Sequence, residues 1–199
     1  MAIESLQNTV LGEITEASSA EFTVDCHELY ASPPLGGLVK TEDSEEVFAV
    51  VRSISTAPID PTRRPVARGK NEPDRDAVYR KNPQLEKLLR TEFLATIVGH
   101  RASDGYHQYL PPQPPKIHTF VHICTTEEIF SFTQKLEFLP LLLFGPMPLA
   151  DEVTAAFLRP AATSHPDPNS FLLAAGREIS RLLNRDLQRL NALLRRIRP

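Results

Sequence analysis

Glu21-Phe22-Thr23-Val24-Asp25-Cys26 alternates apolar and polar side chains, so on an extended backbone Phe22, Val24 and Cys26 share one face. That is the pattern of a strand with one side buried, and the neighbouring segments repeat it. Upstream, Val10-Leu11-Gly12-Glu13-Ile14 predicts a strand joined to the first by the small residues Ala17-Ser18-Ser19-Ala20. Downstream, past Pro33 and Pro34, Gly36-Gly37-Leu38-Val39-Lys40 reads as a turn entering a strand, and Glu46-Val47-Phe48-Ala49-Val50-Val51 as its hairpin partner. Phe93–Gly99 predicts a fifth strand and Ile117–Cys124 a sixth. Between the fourth and fifth, Ser53–Arg75 is polar and punctuated by proline, a long loop, and Asn82-Pro83-Gln84-Leu85-Glu86-Lys87-Leu88-Leu89 carries a cap residue, a first-turn proline and helical apolar spacing. Six short strands with one helical insertion predict a small antiparallel barrel over residues 1–125.

Near residue 125 the periodicity changes. Thr125 and Glu128 match a capping box, with Ile129, Phe130, Phe132 and Leu136 following at helical steps. Asp151–Leu158 predicts a further short helix, and Pro166-Asp167-Pro168-Asn169-Ser170 a stop followed by a new start. Leu172, Ala175, Ile179, Leu183, Leu187, Leu190, Leu194 and Ile197 then recur every three or four residues. They predict one long amphipathic helix, or two broken near Asn184. The whole is an α+β chain: a barrel, then a helical domain over 126–199.

Composition narrows the function classes. The 199 residues are 41% hydrophobic and 24% charged, against wholesale disorder or a multi-span membrane protein. The longest apolar run, Phe138–Ala150, is interrupted by Pro140, Gly145, Pro146 and Pro148 and is too short to span a bilayer. It reads as core or as an interaction surface. Two distant cysteines and a polar, acidic start lead to the expectation of a reduced, cytoplasmic protein without a disulfide framework. Eighteen prolines gather at the connections, among them Pro111-Pro112-Gln113-Pro114-Pro115, a rigid connector or a polyproline ligand.

The segments Gly12-Glu13-Ile14 with Glu21-Phe22, then Gly36–Lys40, then Val47–Val51, resemble in order and spacing the HAS barrel. That barrel is shared by HerA-type DNA translocases and the catalytic-ring subunits of ATP synthases. Thr91-Glu92-Phe93, Tyr109-Leu110-Pro111-Pro112, Pro114-Pro115 and the C-terminal helices extend the likeness to stand-alone HAS-barrel proteins of cyanobacteria and plastids. The resemblance implies the barrel but supplies no catalytic residues. In the motors the barrel serves ring assembly or docking, which implies for a detached copy an adaptor, assembly factor or regulatory subunit. The motor chemistry itself is missing: the only Gly-Lys, Gly69-Lys70, has Arg64 where a P-loop needs its first glycine and Asn71 where it needs a hydroxyl.

No Gly-x-Ser-x-Gly turn or other catalytic signature is present, so the expected function is non-enzymatic binding without a cofactor, with a protein partner. The charge distribution nominates surfaces. Residues 1–50 carry ten acids against Lys40 alone, whereas residues 169–199 carry seven arginines against two acids. Arg177, Arg181, Arg185 and Arg189 recur every fourth residue, predicting a stripe on one helix side. With Arg63, Arg64, Arg68 and Lys70 of the insertion they are the candidate partner-binding residues. They could meet a protein, nucleic-acid phosphates, a lipid surface, or the chain's own acidic half. The leucine side of the terminal helix needs burial by neighbouring helices, by the barrel, or by a second copy in a homo-oligomer. The first alternative reading is a nucleic-acid-associated accessory factor using the arginine-rich loop and terminal helix; the second is a metal-dependent enzyme, in which His118, His122 and Cys124 would share one face of a regular strand, with His107 or Cys26 as further ligands. Its competitor is an ordinary half-buried strand.

Overall fold

The alternating segments do form strands, in the computed structural model, which describes residues 10–62, 65–145 and 149–198. They are β1 (Val10–Ala17), β2 (Glu21–Cys26), β3 (Leu38–Thr41), β4 (Glu46–Pro58), β5 (Leu89–Ala102), β6 (Gly105–His107) and β7 (Phe120–Ile123). All pairings are antiparallel in the order β2-β1-β7-β3-β4-β5-β6, and β5 also pairs with β2. Six strands therefore close into a ring of pairings, while β6 extends from β5 outside it. The sheet has seven strands where the sequence pattern predicts six.

Alternation sorts the side chains of the ring into two cores. Phe22, Val24, Val39, Val47, Ala49, Val51, Phe93 and Ile97 belong to one cluster with Leu11 and Ile14. Their neighbours Leu38, Phe48, Val50 and Val98 join a second cluster built mainly by the helices. These helices are α2 (Thr126–Phe132), α3 (Leu139–Leu143), α4 (Ala150–Ala162), α5 (Pro168–Leu182) and α6 (Leu187–Ile197). An aromatic chain crosses the junction: Phe48 stacks on Phe132 at 5.2 Å, Phe132 meets Phe138 at 5.5 Å, and Phe138 meets Phe157 edge-on at 5.3 Å. All four are buried, each contributing about 1.5–3 kcal/mol of transfer free energy. The change of element type at residue 125 is thus not a break in the core.

Two glycines of the resembling segments have steric reasons. A Cβ on Gly12 of β1 would lie 2.0 Å from the Asp25 carbonyl oxygen of β2. Gly36 takes φ +77° in the turn before β3, and a Cβ there would lie 2.4 Å from the Ala156 backbone of α4. The helical layer can approach the ring only because this turn lacks a side chain.

Several expectations need correction. Ser53–Pro58, expected as loop, continues β4, paired residue for residue with Leu89–Leu94. Asn82–Leu89 is not an α-helix: Pro83–Leu88 form a 3-10 segment without a side-chain cap. The α-helix of the insertion is α1 (Arg75–Lys81), capped by Asp74, whose carboxylate accepts from the Ala77 amide at 2.7 Å. The strand expected from Ile117 starts at Phe120, because His118 adopts φ +68°. Of the two expectations for the terminal segment, the one broken near Asn184 holds: Leu183–Asp186 turn the chain and Asp186 caps α6, so no single long helix forms. The Thr125–Glu128 capping box is present, as is the Asp167 start of α5. In the connection 111–115, Pro111 and Pro115 are buried and the three residues between them are exposed. No helix among the described residues is long and apolar enough to cross a membrane.

Candidate functional site

The break at Leu183–Asp186 dismantles the arginine stripe. Arg185 lies in the turn between α5 and α6. Arg181 bonds Glu178 one turn earlier on its own helix. Arg189 turns inward: its Nη2 and Nε donate to Asp151 Oδ1 at 2.7 and 2.9 Å, Nε also to Oδ2 at 3.2 Å, and Nη2 to the Leu143 carbonyl at 2.7 Å, with Phe144 5.8 Å beneath. The bond with Asp151 raises its already high pKa further. Arg196 bonds Glu152. The acids that hold Arg189 and Arg196 thus belong to α4, not to the acidic first fifty residues. Arg177 lines a groove of about 530 Å³ between α5 and α6. Most of the predicted apolar side finds cover within the chain, Leu183, Leu190, Leu193 and Ile197 being buried beside α4, but Leu187 is 64% exposed.

His118, His122 and Cys124 are not gathered either. His118 sits in the left-handed turn and its Nδ1–H donates to Glu13 at 2.9 Å. His122, on β7, donates to Glu42 at 3.0 Å. Cys124 is buried, and burial pushes its thiol well above the usual value. Cys26 is likewise buried, its thiol raised to about 12 by burial first and then by Asp25 and Glu92. His107 belongs to another cluster, where Nε2–H donates to Asp104 at 2.8 Å and Nδ1 accepts from the Tyr109 hydroxyl at 3.0 Å. That acid–imidazole–phenol chain, stacked on His100 at 5.1 Å, orders the β5–β6 hairpin. Among the described residues no three His, Cys, Asp or Glu side chains are grouped as metal ligands.

The insertion between β4 and β5 is different in kind. Of its local elements, α1 buries only Ala77 and the 3-10 segment buries nothing. Its apolar side chains surround a cavity of about 510 Å³ whose walls include Pro58, Ile59, Val66, Val78, Leu85 and Leu88. Ile59, Val66 and Leu88 are 53, 74 and 50% exposed. The lobe has apolar walls, and of its described residues only Ala77 is buried. Arg68, Arg75 and Lys87 border the same cavity. Arg63 and Arg64, also expected to bind, lie outside the described residues.

Electrostatics reinforce the contrast. Residues 58–90 hold nine Lys and Arg against five Asp and Glu, a net +4 in a chain of −3, so the remainder carries −7. Within the lobe Arg75 bonds Asp76, Arg80 bonds Asp74 and Lys81 bonds Glu72. Arg68, Lys70 and Lys87 have no carboxylate partner among the described residues. The lobe is fastened at its base by Tyr30, a non-glycine residue at φ +68°. Its N–H donates to Thr91 Oγ1 at 2.9 Å, its hydroxyl meets the Tyr79 hydroxyl at 2.6 Å, and Arg75 lies 6.0 Å over its ring. The bond to Tyr30 raises the Tyr79 pKa. Sequence reading found the cations Arg68 and Lys70 but not the cavity, whose walls come from four separate stretches of chain. Neither models of known families nor curated proteins match this chain.

Proposed function

We propose that the chain is a HAS-type barrel protein that works by binding, as an adaptor or assembly component of a larger complex, such as one built around a ring ATPase. The insertion lobe is its docking face and a protein is its partner. The closed ring of six strands and the steric roles of Gly12 and Gly36 support the barrel reading. One observation carries the function: a cationic lobe with exposed apolar walls, only Ala77 buried among its described residues, fixed to a well-packed scaffold. Such patches mark interaction sites in soluble chains. The nucleic-acid reading retains the cations of the lobe but loses the stripe, since Arg189 and Arg196 are held by α4.

A pull-down of tagged full-length chain from its native cells at low salt, beside the Ile59→Ser/Leu88→Ser variant, tests the reading. One defined protein is expected with the wild type and lost with a variant that keeps the wild-type thermal midpoint. A strictly solitary wild-type monomer would contradict it.

A further inference from the structure

We propose that an extended, acidic segment of the partner protein adds as a strand to the open edge of β4 at Arg52–Pro58 and delivers an apolar side chain into the lobe cavity. This rests on the adaptor reading and goes beyond it. Beyond its bulge between Val51 and Ser53, β4 pairs with β5 in unbroken register, from Ser53 opposite Leu94 to Pro58 opposite Leu89. On its other side β3 reaches only to Val50, supplemented by bonds of Val51 with Gly36 and Gly37. Among the described residues, the last seven of β4, about 23 Å of strand, therefore have no partner strand along one edge.

Its polarity follows from the register. The Ile59 amide donates to the Leu88 carbonyl at 3.0 Å, which makes that pair a hydrogen-bonded one. By antiparallel alternation Ala57, Ser55 and Ser53 bond β5, while the N–H and C=O of Ile54 and Thr56 point to the free edge. Pro58 falls on the same outward phase, where a missing N–H costs the sheet nothing. Soluble proteins guard such edges with charge, proline, or brevity. Here β6, which extends from β5 outside the ring, is three residues long. The β4 edge instead presents Ser53, Ile54, Ser55 and Thr56, all exposed, and its one charge, Arg52, is turned onto Glu21 at 2.7 Å. A serine- and threonine-lined edge suits main-chain recognition, as in strand-addition complexes.

Charge complementarity selects the occupant. The free edge runs into the cavity through Pro58 and Ile59, and the charged groups lining it are the cations Arg68, Arg75 and Lys87 against one acid, Asp60. In the antiparallel sense of every pair in this sheet, the amino end of an added strand would lie at the lobe. Acidic residues there would face those cations.

The test uses the purified full chain and a fluorescein-labelled peptide of alternating valine and threonine with three aspartates at its amino end. Saturable binding is expected, with new hydrogen-exchange protection of the Ile54 and Thr56 amides. Binding should weaken at least about tenfold in Ile54→Pro, where an outward N–H is removed, and in Arg68→Glu/Lys87→Glu. Should Ile54→Pro fail to fold, the protection pattern on the wild type decides. No binding, or protection confined to 59–88, would overturn strand addition and leave the adaptor reading to its own pull-down. Equal binding of a lysine-for-aspartate peptide would overturn the acidic occupant. So would dimerisation abolished by Ile54→Pro, or preferential, salt-sensitive binding of a labelled oligonucleotide.

Discussion

Replacing Arg189 by glutamine removes the charged centre of a junction between α3, α4 and α6. The wild-type guanidinium makes a two-pronged contact with Asp151 and caps the Leu143 carbonyl of α3. Charge-assisted bonds of this kind are worth about 1.5–3 kcal/mol when well desolvated. The two side chains retain 28 and 26% exposure, so solvent screening brings the expected loss to about 2 kcal/mol for the whole contact. In a chain of this length that lowers the thermal midpoint by about 4–8 °C. Asp151→Asn should cost a similar amount, and the double variant little more than either single, a coupling of about 1–2 kcal/mol. Arg181→Gln, which loses only a bond to Glu178 on its own exposed helix face, should leave the midpoint in place. Thermal denaturation by circular dichroism reads all four variants. If Arg189→Gln proves as neutral as Arg181→Gln, the division of the arginines into one anchor and surface residues is wrong.

Three other outcomes are expected. Both thiols should resist iodoacetamide at pH 8 in the folded chain and react together on unfolding, since burial holds Cys26 near 12 and Cys124 well above its ordinary value; rapid modification of the native chain would contradict this. Burial alone would raise Glu128, but bonds from Lys40 and the Thr125 amide outweigh it and lower its pKa, while Lys40 is raised because Glu128 and Glu46 outweigh its own burial. The Glu128 contribution is therefore complete above its unfolded pKa and is lost as pH falls through its lower folded value. That of Lys40 is complete below its unfolded pKa and lost only as pH rises through its higher folded one. Lys40→Met should accordingly flatten the acid limb of the stability profile below about pH 4.5, and an unchanged limb would remove the pair from the account. Gly36→Ala should destabilise by about 2 kcal/mol or more, because a side chain there meets both the left-handed backbone and α4; a neutral result in urea denaturation would mean that α4 does not pack on this turn.

What could be read from the chain divides along physical lines. β2 was legible to the residue because Phe22, Val24 and Cys26 each face a core, and the Thr125–Glu128 box because local bonds alone define it. The outer half of β4 was not legible: Ser53–Thr56 are exposed, so no burial pattern marks a strand that exists through its pairing with β5. The His118-His122-Cys124 reading assumed a straight strand and failed on one backbone angle. The arginine stripe assumed a continuous helix, although Asn184 and Asp186 stand where a chain stops and caps again. The Arg68 and Lys70 cations were visible, but the cavity near them brings Ile59, Val66, Val78 and Leu88 together across thirty residues, a juxtaposition that only the tertiary fold provides.

Amide hydrogen exchange on the native complex, compared with the free chain, tests the central claim most directly. The account predicts new protection across the insertion and the adjoining outer half of β4, residues 54–89, with the rest of the ring and the α5–α6 groove unchanged. Protection centred on α5 and α6, with the insertion still exchanging freely, would contradict it.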